Sequence, residues 1–211
     1  MSDATVALGG LEMEIQGFPP AVSIEGPELH SISDFIGESQ SERLPDGRLM
    51  FKVTGKPLQG TSNEPNVLKV LAGSLAQADY RPATDEQNRR GIDGWVRDSD
   101  GAPVPVQVVK VPAESEFGAA VAKGDWEITV TVDEAASWIK AAIDHKTTGP
   151  TPSIAPADRA SMILALDVRH AGLLICDDVV AALVGQMPDV AQLGFRAIWL
   201  VGSTTAGTRK L

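Results

Sequence analysis

The stretch from Gly91 to Pro112, GIDGWVRDSDGAPVPVQVVKVP, carries an acid, an amide and a lysine: Asp93, Gln107 and Lys110. Carboxylate and amide oxygens are ligands that a hard divalent cation accepts, and a nearby lysine stabilises negative charge. The same stretch has the pattern of an ordinary β-hairpin, with strands near 92–97 and 104–111 joined by DSDGAP. The residues therefore allow two interpretations, a catalytic hairpin and a purely structural one.

A helix with an acid at its start is predicted before this hairpin. Ser62 or Asn63 can cap the helix, and Pro65 suits its first turn, where no backbone N–H is needed. Apolar residues then recur at helical spacing and predict one buried stripe. The stripe consists of Val67, Leu68, Leu71 and Leu75. Glu64 lies at the top of this stripe, where a favourable interaction with the helix dipole explains it without any catalytic role.

The rest of the chain alternates strands and helices. A tight turn in LPDGR leads into a strand over RLMFKVTG. After the hairpin, we expect a strand at 126–132, a helix opening at Asp133, a strand at 161–168, a helix from about 175 to 186 and a strand at 195–201. Uninterrupted apolar strands are typical of a sheet covered on both faces. The order predicts an α/β fold, a central mixed sheet flanked by helices.

Two regions of the chain are distinguished by composition. Residues 1–45 carry scattered glycine and proline without sustained periodicity, and we expect an N-terminal arm or β extension there. Residues 46–211 are expected to form a single α/β domain, since their length and apolar content suit one sizeable core.

The net charge of −10 argues against a broad basic surface that binds nucleic acid by charge alone. Any contact with DNA is therefore expected to be local, in a cleft where basic side chains gather, or to be supplied by a partner subunit. The candidates for that cleft are Arg81, Arg89, Arg90, Arg97 and Lys110.

Several kinds of site and location are disfavoured. The single cysteine, Cys176, allows neither an intramolecular disulfide nor a cysteine zinc site, and the histidines (His30, His145, His170) lack metal-binding spacing. No glycine-rich phosphate loop occurs, so we expect no nucleotide cofactor. Neither a signal-peptide pattern nor an apolar run long enough to cross a bilayer is present, so we expect a cytoplasmic protein without membrane contact.

From Ser62 to Val201, the order of elements resembles the PD-(D/E)xK nuclease superfamily, which has the restriction endonuclease-like fold. NEPNVLKVL is similar to its first helix with an acid, RGIDGWV to its strand with a metal-binding aspartate, and VPVQVVKV to its strand with (D/E)xK or QxK. The resemblance implies Mg²⁺ or Mn²⁺ held by Asp93 and Gln107, with Glu64 as a supporting acid and Lys110 as the catalytic cation. It further implies Mg²⁺-dependent phosphodiester hydrolysis of DNA, in nucleic-acid processing or defence.

The second strand departs from the family pattern. Side chains alternate along a strand, so a lysine that works with Gln107 must stand two residues later, where Val109 is found. Lys110 stands three residues later and points away from Gln107 in a regular strand. A β-bulge near Pro105 or Val109 would swing Lys110 back to the Gln107 side. Otherwise another cation supplies the charge, and the candidates are Arg89, Arg90 and Lys69.

Two other interpretations stay open. The same fold with a lapsed active site would serve as a subunit or adaptor that binds a protein partner or another copy of the chain, which the net acidity favours. Alternatively, the chain is an unrelated α/β domain whose hairpin matches by coincidence. The placement of Glu64, Asp93 and Gln107 relative to one another, and the face on which Lys110 stands, distinguish these interpretations.

Overall fold

The structure is a computed structural model that describes residues 4–8, 11–15, 35–57, 64–77, 79–112, 125–148 and 154–211. The expected helix cap at Ser62 or Asn63, and His30, lie outside these residues. The first two strands, β1 (Ala4–Leu8) and β2 (Leu11–Ile15), form an antiparallel hairpin.

A three-stranded antiparallel sheet consists of β3 (Phe35–Arg43), β4 (Leu49–Pro57) and β8 (Asp125–Val130), with β4 in the middle. The register of β3 with β4 runs from Phe35↔Pro57 to Arg43↔Leu49. Residues 35–43 of the expected N-terminal arm or β extension are therefore paired with the strand that opens the expected domain.

A six-stranded mixed sheet forms the centre of the fold. Its strands are β5 (Tyr80–Pro82), β6 (Gly94–Arg97), β7 (Pro103–Lys110), β9 (Ile163–Asp167), β10 (Ala197–Val201) and β11 (Thr208–Lys210). The spatial order is β11-β10-β9-β7-β6-β5. β7 is antiparallel to β6 and parallel to β9, and β9 is parallel to β10. The expected class, an α/β fold with a central mixed sheet, is confirmed.

The α-helices of the described residues are α1 (Glu64–Ser74), α2 (Asp85–Arg89), α3 (Val132–Thr147), α4 (Pro156–Arg159) and α5 (Asp177–Gln186). Two 3₁₀ turns occupy Gly172–Ile175 and Val190–Leu193. α3 connects β8 to the segment before β9, and α5 lies between β9 and β10. The connection through α5 joins two parallel neighbours, β9 and β10, and such pairing requires a long crossover.

One face of the six-stranded sheet is covered by α1, and we call it the α1 face. Val67, Leu68 and Leu71 of the helix form one buried cluster with Val104 and Val106 of β7. The expected helical stripe is confirmed at these positions, and Leu75 packs against the same cluster just beyond the helix end.

The opposite face, which we call the α3 face, is covered by α3 and α5. Leu164 and Leu166 of β9 are buried there with Ile139 and Ile143 of α3, and Val109 packs against them. The same core extends to α5 and the three-stranded sheet. Its further buried members include Val179, Leu183, Leu49, Phe51 and Trp126.

Two helix starts differ from the expected ones for identifiable reasons. α3 begins at Val132, one residue early, because Thr131 and Glu134 form a capping box. Glu134 N–H donates to Thr131 Oγ1 at 3.2 Å, and Thr131 N–H donates to Glu134 Oε2 at 2.7 Å. The helix expected from about 175 begins at Asp177, because Gly172–Ile175 forms a separate 3₁₀ turn and Cys176 is extended.

The close approach of α1 to β6 requires a glycine at position 94. A Cβ on Gly94 would stand 2.2 Å from Leu68 Cδ1 and 2.8 Å from the Arg81 carbonyl oxygen. We therefore expect Gly94→Ala to lower the free energy of unfolding by about 1–3 kcal/mol, measured by urea denaturation. Gly172→Ala is the matched control, because a Cβ there meets no atom within 4 Å, and a change within about 0.5 kcal/mol is expected. Equal losses in the two variants would contradict this packing.

Candidate functional site

Asp93 stands directly before β6, with its backbone bonded on both sides. Its N–H donates to the Val106 carbonyl at 2.9 Å, and its carbonyl accepts the Ala83 N–H at 3.1 Å. Gly91, two residues earlier, has a φ of +76°, which glycine adopts without strain, and it turns the chain out of α2 toward the strand. These contacts fix the backbone of Asp93 in the sheet.

The Asp93 carboxylate closes the open edge of β7. The pairing of β6 with β7 ends at Gly94↔Val106. Beyond this point β6 offers no carbonyl to the backbone N–H groups of β7. Asp93 Oδ2 takes this place and accepts the Val108 N–H at 2.7 Å. A buried N–H without an acceptor would be costly, so Asp93 has a structural role in addition to any chemical one.

The side chain of Gln107 meets Asp93 at this edge. Gln107 is only 5% exposed, and its Nε2 donates to Asp93 Oδ2 at 3.4 Å. Its Oε1 is buried and has no hydrogen-bond partner within the part of the chain that the structure describes. An acceptor left unsatisfied in this way costs about 1–3 kcal/mol, so Gln107 Oε1 has unused capacity for a cation or a donor.

Lys146, in the last turn of α3, acts on Asp93 through its charge. Burial raises the pKa of Asp93 above its ordinary value, and the Val108 N–H, the Lys146 charge and the Gln107 amide each lower that pKa in part. A carboxyl group whose pKa is raised by burial and is also affected by a cation is a candidate functional group.

Sequence reasoning missed Lys146. Its position in the last turn of the expected helix gave no sign of an effect on Asp93, because that effect depends on how α3 packs against the α3 face. The one available signal was the presence of a lysine near the end of a helix that follows the hairpin.

Lys110 lies on the opposite face of the sheet. An unbroken register joins β7 to β9 from Val106↔Ile163 to Lys110↔Asp167, and β6 pairs with β7 equally without interruption. The bulge that would have returned Lys110 to the Gln107 side is therefore absent from β7, and of the two alternatives only a cation from elsewhere stays open. Val106 and Val108 pack on the α1 face, and Lys110 follows their alternation. Lys110 does not share the edge where Asp93 and Gln107 meet.

Glu64 is the first residue of α1, the helix that covers the α1 face. Leu68, one turn later, packs over Gly94, so α1 passes close to the residue that follows Asp93. Among the residues that the structure describes, no three acidic, histidine or cysteine side chains form a group that could hold a metal. A metal at this edge would depend on Asp93 and the neutral Gln107, since Glu64 belongs to the helix on the other face of the sheet.

The basic residues expected around the hairpin have separate environments. Arg97 pairs with Asp79 at 3.2 Å and donates to the Gly101 carbonyl at 2.6 Å, so it holds the hairpin turn. The Arg81 guanidinium lies over the Trp95 ring, 5.8 Å from its centroid. Arg89 ends α2 and is exposed, as is Lys69 on α1. Lys146 is the cation whose charge lowers the pKa of Asp93.

Comparison with family models, with curated proteins and with solved structures found no match to this chain. None of the helices in the described ranges is both long and apolar enough to cross a membrane. The function must therefore be inferred from the chemistry of the site itself.

Substitution of Asp93 separates its hydrogen bonds from its charge. Asp93→Ala leaves the Val108 N–H and the Gln107 amide without an acceptor, and we expect a loss of about 1–3 kcal/mol in the free energy of unfolding. Asp93→Asn keeps an acceptor oxygen and removes the charge that burial disfavours. We expect this variant to be at least as stable as the wild type at pH 7, measured by urea denaturation.

The difference in stability between the wild type and Asp93→Asn should change with pH in a defined direction. The pKa of Asp93 in the folded state is raised above its ordinary value of 3.8, so the folded state holds the proton more tightly than the unfolded state. Relative to Asp93→Asn, the wild type should lose stability as the pH rises from 3.8 through the raised pKa and then level off. A wild type that gains stability relative to the variant over this interval would contradict the burial effect.

Proposed function

We propose that this chain is a restriction endonuclease-like protein that hydrolyses phosphodiester bonds of DNA with Mg²⁺ or Mn²⁺, in nucleic-acid processing or defence. The observation that carries the proposal is the meeting of the Asp93 carboxylate and the Gln107 amide at 3.4 Å. Two neighbouring oxygen ligands of an octahedral Mg²⁺ lie about 3 Å apart, because each lies about 2.1 Å from the ion. The 3.4 Å joins Gln107 Nε2 to Asp93 Oδ2, so the two side chains are in contact, and both could reach one ion once the amide presents its oxygen instead.

The oxygen atoms of Asp93 and Gln107 are also suitable ligands for a divalent cation. Turning the Gln107 amide by half a rotation exchanges Nε2 for the buried, unsatisfied Oε1; it costs the hydrogen bond of 3.4 Å and places the amide N–H groups where Oε1 now lies. A divalent cation would accept both oxygens and favour the ionised form of Asp93, which burial disfavours. Mg²⁺ keeps several waters and is commonly held by one or two carboxylates, so Asp93 with the neutral amide is a sufficient protein contribution.

Each side chain has a separate role in this proposal. When bound, the metal would neutralise charge that builds up on the phosphate and acidify a water molecule. Asp93 supplies the anionic oxygen and Gln107 the neutral one. In this proposal Lys146, whose charge lowers the pKa of Asp93 in part, takes the role of the catalytic cation instead of Lys110. Glu64 is retained only as a supporting acid at the start of α1.

Cleavage assays distinguish the two lysines. With plasmid and single-stranded DNA in Mg²⁺ or Mn²⁺, we expect Asp93→Asn to abolish cleavage and Lys146→Met to slow it about 100-fold, the usual cost of one charge-stabilising group. Lys110→Met makes the same change on the α1 face and should keep most of the wild-type rate. Undiminished cleavage by Asp93→Asn, or none by the wild type with either metal, would refute the proposal. If Lys110→Met cleaved DNA more slowly than Lys146→Met, Lys110 would be the catalytic cation.

Metal binding can be measured without DNA. A ligand that binds only the folded state at 100 times its Kd stabilises it by about 2.7 kcal/mol, which raises the Tm of a chain of this size by several degrees. We expect Mn²⁺ to raise the Tm of the wild type, to raise that of Gln107→Glu further because a second carboxylate is added, and to leave Asp93→Asn unchanged. An equal rise in Asp93→Asn would place the metal elsewhere.

A second candidate is a lapsed nuclease fold that acts as a subunit or adaptor and binds a protein partner. The observation that favours it is the unbroken register of β7, which keeps Lys110 on the α1 face. In this case Asp93 and Gln107 only close the edge of β7, and the net charge of −10 suits a basic protein surface better than DNA. A monomer in size-exclusion chromatography that binds Mn²⁺ at Asp93 would remove the basis for this candidate.

A further inference from the structure

Arg159, the last residue of α4, is a buried cation whose partners are backbone carbonyls. It is 8% exposed. Its Nη2 donates to the Thr147 carbonyl at 2.8 Å and to the Ile154 carbonyl at 3.3 Å, and its Nη1 donates to the Leu193 carbonyl at 3.5 Å. Its Nε is buried without a partner, and no carboxylate of the described residues pairs with the guanidinium.

A guanidinium buried without a counter-ion is costly, so its surroundings must offset the charge. The carboxyl end of a helix carries about half a negative charge, on carbonyls that have no partner within the helix. Thr147 is the last residue of α3, so Arg159 binds this helix end directly. The Phe195 ring adds a cation–π contact, with its centroid 5.8 Å from Arg159 Cζ. Arg159 is therefore adapted to hold the end of α3.

We propose that Arg159 is a positioning residue that clamps the carboxyl end of α3 and thereby holds Lys146 on the side of the sheet where Asp93 and Gln107 lie. Lys146 directly precedes Thr147, whose carbonyl forms the shortest of the Arg159 hydrogen bonds. Loss of the clamp would let the last turn of α3 open and release the Lys146 side chain.

The clamp and the candidate site lie at the same end of the sheet. The Arg159 carbonyl accepts the Arg196 N–H at 3.0 Å, directly before β10, at the amino ends of the parallel strands β9 and β10. Gln107 is paired with Leu164, the second residue of β9, at that same end. The geometry of the clamp is independent of the proposed function, whereas its effect on cleavage rests on that function.

The clamp can be tested in the full-length protein without any substrate. Trypsin cuts after Lys146 only when the end of α3 opens, and exchange of the Thr148 N–H, which donates to the Asp144 carbonyl at 2.8 Å, reports the same opening. We expect Arg159→Met to accelerate both processes about tenfold or more, and Arg159→Lys, which keeps the charge and a donor, to restore most of the protection. Near-UV circular dichroism establishes that each variant is folded, and Arg159→Gln, which keeps one donor, replaces Arg159→Met if that variant is unfolded.

Arg209→Met is the matched control. Arg209 also donates to a backbone carbonyl, that of Ile175 at 3.2 Å, and pairs with Asp177 at the start of α5. Its removal should leave trypsin cleavage at Lys146 and exchange of Thr148 unchanged. A folded Arg159→Met (or Arg159→Gln) protein with wild-type protection at both positions would overturn the proposal, as would equal acceleration by Arg209→Met.

Kinetics then test whether the clamp acts through Lys146. We expect Arg159→Met to lower kcat about tenfold with little change in KM, as for loss of a group that orients a reacting side chain. In a double variant with Lys146→Met, the Arg159→Met substitution should lower kcat no further, because the lysine that Arg159 positions is already absent. Multiplied losses in the double variant would overturn positioning through Lys146. If the wild type cleaves no DNA, the proposed function fails, and proteolysis and exchange still decide the clamp.

Discussion

β7 is hydrogen-bonded on both sides, to β6 and to β9, and this double pairing sets the orientation of every side chain at the candidate site. Each residue of a strand points to the face opposite that of its neighbours. Val104 and Val106 fill the α1 face and Val109 the α3 face, so a slip of one residue would bury polar groups in one core and remove apolar groups from the other. The register is therefore strongly specified, and it keeps Lys110 away from Gln107.

A polar pair at the end of this strand follows from the same pairing. β6 stops pairing at Gly94, and the partly buried Val108 N–H beyond it needs an acceptor, which Asp93 Oδ2 supplies. Both hydrogen bonds of the carboxylate go to Oδ2, so Oδ1 has none to any described residue. One oxygen can thus complete the sheet while the other is available to a cation, and a structural role and a chemical one are compatible in a single carboxylate.

The elements of the fold followed from local pattern, and the site only in part. Helical spacing from Glu64 and turn chemistry around Gly101 specify α1 and the hairpin, because these depend on neighbours in the chain. Strand alternation also predicts the face of Lys110, because β7 keeps a regular register without a bulge. Lys146 and Arg159 could not be found in this way, because their contacts join distant segments through the packing of α3. Asp93 and Gln107 remain predictions as metal ligands.

The acidity of the chain gives weight to the positive charge at the end of α3 in the proposed nuclease function. With a net charge of −10, DNA would have to be attracted locally, since long-range steering would repel a polyanion. Around the hairpin turn, Arg97 and Arg196 are paired with Asp79 and Asp98, so their charge is largely neutralised within the protein. Lys146 acts instead on a carboxyl group whose charge a divalent cation could take up. A bound metal would satisfy Asp93 and release the Lys146 charge toward a phosphate, so metal binding and DNA affinity at this edge should be coupled.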